Sequence, residues 1–109
     1  NARLAGRYDT LSPPVLSFLR GVVEACNAAG KPLSLCGEMA GYPVDAMTLI
    51  GIGFRNLSLV PSSIGPVKSM VRSLNVSELG QYLDTVINLD DRSLRKKLRG
   101  FARDHGVEI

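Results

Sequence analysis

The feature that most constrains the fold is the alternation of two short apolar segments with three longer helical patterns. Residues 33–36 and 56–60 have the length and composition of buried strands. Helical periodicity occupies residues 13–29, 44–52 and 64–74, so the predicted order is αβαβα. Strands that alternate with helices of this length are typical of βα units around a parallel sheet. Two strands do not complete such a sheet, so we expect further strands earlier in a larger α/β protein.

Turn and capping residues mark the ends of these elements. Ser12 precedes two prolines and is expected to cap the first helix with its hydroxyl, and Gly30 ends that helix. The stretch from Gly37 to Pro43 is predicted to be a loop. The helix over 44–52 is apolar nearly all round, which suits a helix packed on a sheet. In the third helix the predicted inward residues are Val67, Met70, Val71 and Leu74, and the outward ones are Lys68 and Arg72.

The remainder of the chain is predicted to be helical. Asn75 or Ser77 can cap a helix over residues 76–87, and Asp90 or Asp91 can cap a last helix that includes the apolar positions Leu94, Leu98 and Phe101. Five basic residues cluster on this last helix: Arg92, Arg95, Lys96, Lys97 and Arg99. Acids at the start of a helix and bases later complement its dipole. A solvated helical face is therefore expected, with RNA binding as the weaker alternative.

Composition places the chain in an ordinary globular class. Its 109 residues are enough for one domain or a piece of one, and 45% hydrophobic with 21% charged residues excludes a disordered or collagen-like chain. The net charge of +3 is too small to imply a nucleic-acid or membrane partner. Apolar runs end well before the roughly 18 residues that a membrane span needs, and the first residues do not resemble an export signal, so a soluble protein is expected. The start at Asn1 rather than methionine suggests a fragment.

Two places follow the predicted strands and are candidates for chemistry, because the carboxyl ends of parallel strands share one face of a sheet. The first is Cys36-Gly37-Glu38, and the second is the hydroxyl-rich start Pro61-Ser62-Ser63, whose free N–H groups could meet an anion. Simpler interpretations stand beside both. A cysteine in a strand is usually a small core residue, Glu38 could be a solvated charge or a helix cap, and the serines could be capping groups.

The other candidate residues carry weaker signals. The single histidine, His105, follows a basic segment and is expected to be exposed to solvent. Two cysteines and one histidine make no zinc spacing and no disulfide framework. Cys26 and Cys36 are therefore expected to be reduced thiols in a cytoplasmic protein.

One segment resembles a known signature. Residues 29–41, Ala-Gly-Lys-Pro-Leu-Ser-Leu-Cys-Gly-Glu-Met-Ala-Gly, are similar to the Gly-Lys-x-x-x-x-Cys-Gly-Glu-x-Ala pattern of phosphoenolpyruvate-utilising enzymes. The likeness is closest to enzyme I of the bacterial phosphotransferase system, a phosphoenolpyruvate–protein phosphotransferase. Specific motifs extend over about residues 1–75 and include Tyr8, residues 11–16, residues 49–54, residues 58–64 and the Lys68/Arg72 helix.

The resemblance implies a fold and a role for two residues. In that family this region ends a phosphoenolpyruvate-binding (β/α)8 TIM barrel. Residues 1–75 would then contain its last two βα units, and residues 76–109 would be the terminal helices. Cys36 would be the general acid that protonates the methylene carbon of enolpyruvate, a role that suits a thiol because it is mostly protonated at neutral pH. Gly37 would let the backbone approach the substrate closely.

The resemblance also implies what lies outside this chain. The family's phosphorylated histidine, its substrate-binding arginines and its Mg²⁺ ligands belong to segments before Asn1, so no metal ligand is assigned here and Mg²⁺ belongs to the intact enzyme. The chain alone is expected to be inactive. Its implied partners are phosphoenolpyruvate, a histidine phosphocarrier protein reached through the missing N-terminal domain, and a second copy in a homodimer.

Three alternatives remain open at this point. The Tyr42-Pro43-Val44 segment and the Ser12-Pro13-Pro14 entry look more like the nitrogen-regulatory branch of enzyme I than the sugar-transport branch. The same barrel also occurs in pyruvate phosphate dikinase and phosphoenolpyruvate synthase, which carry an ATP-grasp domain upstream. The third alternative is a dimerisation module, since a truncated barrel exposes apolar strand edges.

Overall fold

In the computed structural model, residues 9–109 are described, and Tyr8, one of the residues of the family-like motifs, lies outside them. This part of the chain contains six helices and a two-stranded parallel sheet. The elements are α1 (Pro13–Ala29), β1 (Leu35–Cys36), α2 (Glu38–Gly41), α3 (Pro43–Ile52), β2 (Leu57–Ser58), α4 (Pro61–Ser73), α5 (Val76–Val86) and α6 (Arg95–Asp104). The predicted αβαβα order is confirmed, with one additional short helix.

Helix α1 has the predicted limits. Ser12 is its N-cap with an extended backbone, prolines follow in the first turn, and Gly30 ends it in the left-handed conformation with φ of 66°. The expected capping bond from the Ser12 hydroxyl is wrong. That oxygen is buried and, among the described residues, has no hydrogen-bond partner.

The two strands pair in parallel, as the βα interpretation requires. Leu35 lies opposite Leu57, and Cys36 lies opposite Ser58. Each strand is only two residues long, so the predicted spans 33–36 and 56–60 were too long. The prediction that the strands are buried is also wrong, because half-buried leucines alternate with exposed Cys36 and Ser58. Within the described residues each strand has a single neighbour, so the outer edge of each strand is unpaired.

Two helix boundaries differ from the prediction. The stretch from Gly37 to Pro43 was expected to be a loop, but it contains α2 and the first residue of α3. Helix α4 begins at Pro61 rather than at Ile64, because a proline in the first turn loses no backbone hydrogen bond. In α4, Val67 and Met70 are buried as predicted and Lys68 and Arg72 are exposed. Val71 was expected to face inward and is 44% exposed.

Helix α3 is the centre of the core. Seven of its ten residues are buried, and α1, α2, α4, α5 and α6 all pack against it. Within the described residues its apolar surface is covered mainly by other helices, and the two-stranded sheet contributes little of this cover. At Gly51 the approach to α5 is so close that a Cβ atom would lie 2.6 Å from Leu83 Cδ1 and 2.8 Å from Leu79 Cδ2.

The C-terminal helices pack back onto this core. Of the two predicted caps for α5, Asn75 is the N-cap, since its side chain accepts a hydrogen bond from the Glu78 amide at 3.1 Å. The predicted cap of the last helix by Asp90 or Asp91 is wrong. Leu94 is the N-cap of α6, and the Ser93 hydroxyl accepts from the Arg95 amide at 3.1 Å. Over residues 9–109, no helix has both the length and the apolar character to cross a membrane.

Candidate functional site

The carboxyl ends of β1 and β2 open into a cleft with a volume of about 640 Å³. Because the strands are parallel and Cys36 is in register with Ser58, both strand ends reach the same edge of the sheet. The cleft therefore brings together the two places that the sequence indicated, which are far apart along the chain. Its lining consists of Cys36, Gly37, Glu38, Gly41, Tyr42, Ser58, Leu59, Val60 and Ser63.

Cys36 is the last residue of β1, and its thiol is free and exposed. The interpretation of this residue as a small core side chain is therefore wrong. Gly37 follows with φ of 135° and ψ of 177°, a backbone conformation that residues with a Cβ atom rarely adopt. No atom lies within 4 Å of the position that a Gly37 Cβ would take. The backbone at the strand end is thus open to the cleft, and the thiol lies beside it.

The two walls of the cleft touch at Gly41 and Ser63. A Cβ atom on Gly41 would lie 2.9 Å from the Ser63 hydroxyl oxygen, so α2 can approach the start of α4 this closely because Gly41 has no side chain. The anion site expected at Pro61-Ser62-Ser63 has one fewer free donor than predicted. The Ser63 amide donates to the Val60 carbonyl at 2.9 Å.

The described walls of this cleft offer no positive charge to an anionic ligand. Among its described lining residues, Glu38 is the one ionisable carboxylate, and there is no arginine, lysine or histidine. A phosphorylated ligand carries several negative charges and needs cationic or metal partners. These walls supply a thiol, hydroxyls and an exposed backbone, and the cations would have to come from outside them.

The described residues do not fit a magnesium site either. Residues 9–109 contain no group of three or more histidine, cysteine, aspartate or glutamate side chains arranged to hold a metal ion. At the cleft, the Glu38 carboxylate is accompanied by the soft Cys36 thiol, whereas Mg²⁺ prefers a set of oxygen ligands. We therefore derive no step of chemistry through a metal held by these residues.

A second polar cluster, which the sequence did not indicate, joins three distant segments. The Arg95 guanidinium donates to Asp9 from Nε at 3.0 Å and from Nη2 at 2.7 Å, and to Asp45 from Nη1 at 2.7 Å. The Ser93 hydroxyl donates to Asp9 at 2.7 Å, and the Leu11 amide donates to it at 3.1 Å. Arg95 was expected on a solvated face, and that prediction is wrong.

The two carboxylates of this cluster differ in their environment. The hydrogen bonds from Arg95 hold the pKa of Asp9 well below its usual range, against the opposing effect of its partial burial. Asp45 has only 5% of its side chain exposed, and burial raises the pKa of its carboxyl although Arg95 is beside it. Both carboxylates raise the pKa of the Arg95 guanidinium, so this residue stays charged.

The remaining candidates lie away from the cleft. His105 is exposed, as predicted, and stacks on Phe101 with ring centroids 4.0 Å apart. Cys26 is a half-buried free thiol on α1. Four of the five clustered bases are exposed, in agreement with a solvated face: Arg92, Lys96, Lys97 and Arg99. Arg92 lies before α6, so its predicted place on the last helix is wrong.

Comparisons with known proteins point to one family. Residues 1–76 match the family described as "PEP-utilising enzyme, PEP-binding domain". The chain is 32% identical over 92 residues to a phosphoenolpyruvate-protein phosphotransferase of Borreliella burgdorferi, covering 84% of the chain and 16% of that protein. It is 37% identical over 98 residues to the "phosphoenolpyruvate-dependent phosphotransferase system" protein of Escherichia coli (strain K12), covering 90% of the chain and 12% of that protein.

A third relative gives the same result. The chain is 33% identical over 101 residues to a phosphoenolpyruvate-protein phosphotransferase of Cupriavidus necator, covering 92% of the chain and 17% of that protein. The chain therefore spans less than a fifth of the length of each of these curated relatives.

Proposed function

Because the chain belongs to the PEP-utilising enzymes, which it matches in their PEP-binding domain, we propose that it is the C-terminal part of a phosphoenolpyruvate–protein phosphotransferase. The intact enzyme would transfer the phosphoryl group of phosphoenolpyruvate to one of its own histidines and then to a histidine phosphocarrier protein. Two of the relatives are phosphoenolpyruvate-protein phosphotransferases by name, which supports this assignment over the related dikinases and synthases. The branch of the phosphotransferase family stays open.

The proposed parent fold is a (β/α)8 TIM barrel. The parallel pairing of β1 with β2, the helices that connect and follow them, and the cleft at their carboxyl ends support this proposal. The unpaired edges of the small sheet are where further strands would pair. Residues 9–75 would supply the described part of the last two βα units, and residues 76–109 would be the terminal helices.

The observation that carries the functional proposal is the exposed thiol of Cys36 at the end of β1, inside the cleft. In the proposed reaction the bond between phosphorus and the enol oxygen breaks, and the phosphoryl group passes to the histidine. The electrons of the enolate then form a bond between its methylene carbon and the proton of Cys36, which yields pyruvate and a thiolate. Water returns the proton to the thiolate. The open backbone at Gly37 would allow the methylene carbon to come close to the sulfur.

The cations for the phosphate would come from other segments, since the described lining of the cleft contains no arginine, lysine or histidine. The same holds for Mg²⁺, which we propose as a cofactor of the intact enzyme with ligands outside these residues. The isolated chain would then hold the proton donor without the groups that bind and accept phosphate. We therefore expect the isolated chain to have no phosphotransferase activity.

We also propose that the intact enzyme is a homodimer in the cytoplasm. Large apolar side chains are exposed on the described surface, with Phe18 at 71% and Val60 at 63%. Such side chains favour contacts with other parts of the protein or with a second copy. Light scattering of the intact protein distinguishes a dimer from a monomer.

Replacement of Cys36 in the intact protein that carries this chain tests the proposed role. We expect Cys36→Ala to lower the rate of pyruvate formation by about 100-fold or more, since a general acid typically contributes that much. The fold should be unaffected because the side chain is exposed, with a change in unfolding free energy within about 0.5 kcal/mol. The matched control is Cys26→Ala on α1, which removes the other thiol outside the cleft and should leave turnover unchanged.

Two results would contradict the proposal. Turnover of the Cys36→Ala enzyme at the wild-type rate would exclude the thiol as proton donor. A requirement for an adenine nucleotide would favour a dikinase or synthase, whereas pyruvate formation from phosphoenolpyruvate and phosphocarrier without nucleotide is expected for the phosphotransferase.

A further inference from the structure

Tyr42 stands between two clefts. It lines the Cys36 cleft, and it also lines a second cleft of about 560 Å³. The other residues of this second cleft are Pro43, Val44, Asp45, Arg95, Arg99 and Ile109. Tyr42 is therefore the wall shared by the two clefts, with the Cys36 thiol on one side and the Arg95 cluster on the other, and we call it the Tyr42 wall.

This wall is tied to the C-terminal helix through the first turn of α3. Asp45 lies three residues after Tyr42, and its Oδ1 accepts from Arg95 Nη1 at 2.7 Å. The Tyr42 carbonyl accepts from the Ala46 amide at 2.8 Å, so the backbone of the wall continues directly into this turn. Arg95 is itself fixed, because two of its nitrogens donate to Asp9. A shift of Arg95 would thus be transmitted to the segment that carries Tyr42.

Stability alone does not explain a carboxylate at position 45. The rest of α3 is almost entirely apolar, and Asp45 is nearly as buried as its neighbours. The Asp45 carboxylate loses most of its hydration in this pair, whereas the Arg95 side chain stays 29% exposed. An ion pair with such a buried partner contributes little net stability compared with apolar side chains of similar size. The geometry of such a pair can favour one relative position of the two segments that carry its charges. At this position the arrangement defined is that of the first turn of α3 against α6.

We propose that Asp45 and Arg95 are positioning residues that fix the Tyr42 wall and thereby set the width of the Cys36 cleft. The C-terminal helix α6 would then act on the cleft through this ion pair without lining it. The consequence for turnover rests on the proposed function, whereas the consequence for access to the thiol does not.

The test compares variants of the intact natural protein in a Cys26→Ser background. Asp45→Leu removes the ion pair with Arg95 and places an apolar side chain in the core. Asp45→Asn removes the charge and leaves a hydrogen-bond acceptor for Arg95. Asp84→Leu is the matched control, since it removes the same kind of side chain from the exposed Arg20–Asp84 ion pair. Mass spectrometry of the tryptic peptide over residues 21–55 measures the alkylation rate of Cys36 by iodoacetamide and by the bulkier N-phenylmaleimide.

The rate with N-phenylmaleimide divided by the rate with iodoacetamide measures the width of the cleft. A change in the reactivity of the thiol itself alters both rates and leaves this ratio the same. We expect this ratio to rise about threefold or more in Asp45→Leu, to rise less in Asp45→Asn, and to stay unchanged in Asp84→Leu. In the phosphotransferase assay, Asp45→Leu should lower kcat/KM for phosphoenolpyruvate by about tenfold, since small displacements of positioning groups have large kinetic effects.

An unchanged ratio in Asp45→Leu, with only a shift in melting temperature, would overturn the proposal and leave the ion pair a structural one. A changed ratio in an enzyme that shows no phosphoenolpyruvate-dependent activity would support the positioning role and contradict the proposed function. The two failures are therefore distinguishable. If the Asp45→Leu enzyme does not fold, an unchanged ratio in folded Asp45→Asn would equally overturn the proposal.

Discussion

Replacing Gly51 with alanine tests the closest helix–helix contact in the core, where α3 meets α5. The new methyl group would lie 2.6 Å from Leu83 Cδ1, 2.8 Å from Leu79 Cδ2 and 2.9 Å from Leu79 Cγ. Both leucines are fully buried, so neither can turn toward solvent to make room. Overpacking of this kind typically costs about 1–3 kcal/mol. Three contacts under 3 Å place Gly51→Ala in the upper part of that range.

The gain in helix propensity offsets part of this cost. Alanine is favoured over glycine by up to about 1 kcal/mol in a helix interior. Gly51 is the penultimate residue of α3, where the gain is smaller. Subtracting a gain of about 0.5 kcal/mol from a packing cost of about 2–3 kcal/mol gives an expected net destabilisation of about 1.5–2.5 kcal/mol. For a domain of this size it corresponds to a decrease in Tm of roughly 5–15 °C.

Thermal unfolding of the 109-residue chain, followed by circular dichroism, measures this effect against a matched control. Gly21→Ala is the same substitution within α1, at an exposed position where no atom lies within 4 Å of the new Cβ. This control should raise the Tm, because it gains propensity without a clash. A Gly51→Ala protein that melts at or above the wild-type temperature would refute the packing argument and the position of α5 against α3.

Two further predictions concern the cleft and the ion-pair cluster. In Gly41→Ala the new methyl group would lie 2.9 Å from the Ser63 hydroxyl oxygen, so the hydroxyl must move and the alkylation rate of Cys36 should change. Adding Ser63→Ala removes this hydroxyl and should restore the wild-type rate. A double variant that keeps the altered rate would contradict the contact. Asp9→Asn should lower the unfolding free energy at pH 7 by about 1–2 kcal/mol, since charged hydrogen bonds to Arg95 are lost. Because Arg95 depresses the folded-state pKa of Asp9, this contribution is present above the usual aspartate range and is lost as the pH falls through the depressed value. Urea unfolding at a series of pH values measures it, and a gap between the two proteins that closes already above about pH 5 would contradict the depressed pKa.

Helix ends that depend on proline or glycine in the backbone could be predicted from the neighbouring sequence. The two prolines after Ser12 and the left-handed Gly30 define α1 from its own residues, without help from any partner. Strand lengths could not be predicted in this way. A strand ends where its hydrogen-bonded neighbour ends, and residues 33–36 and 56–60 pair over only two positions.

The candidate site was predictable in its identity and not in its shape. The Cys36-Gly37-Glu38 motif and the rule that parallel strands share a carboxyl edge indicated where the cleft lies. The contact between Gly41 and Ser63 was not visible, because it depends on how closely α2 approaches α4. The sequence did not predict helix α2, because four residues are too few to show helical periodicity.

The sequence by itself determined the βα order, the limits of α1, the family signature and the exposure of Lys96, Lys97 and Arg99 on the last helix. The tertiary structure decided what Arg95 does. On the helical pattern it is one of five equivalent bases, but the fold brings Asp9 and Asp45 to within 2.7 Å of its guanidinium. Residues separated by 50 and 86 positions leave no periodic signal of their pairing. Such contacts depend on long-range packing, and only the folded chain specifies them.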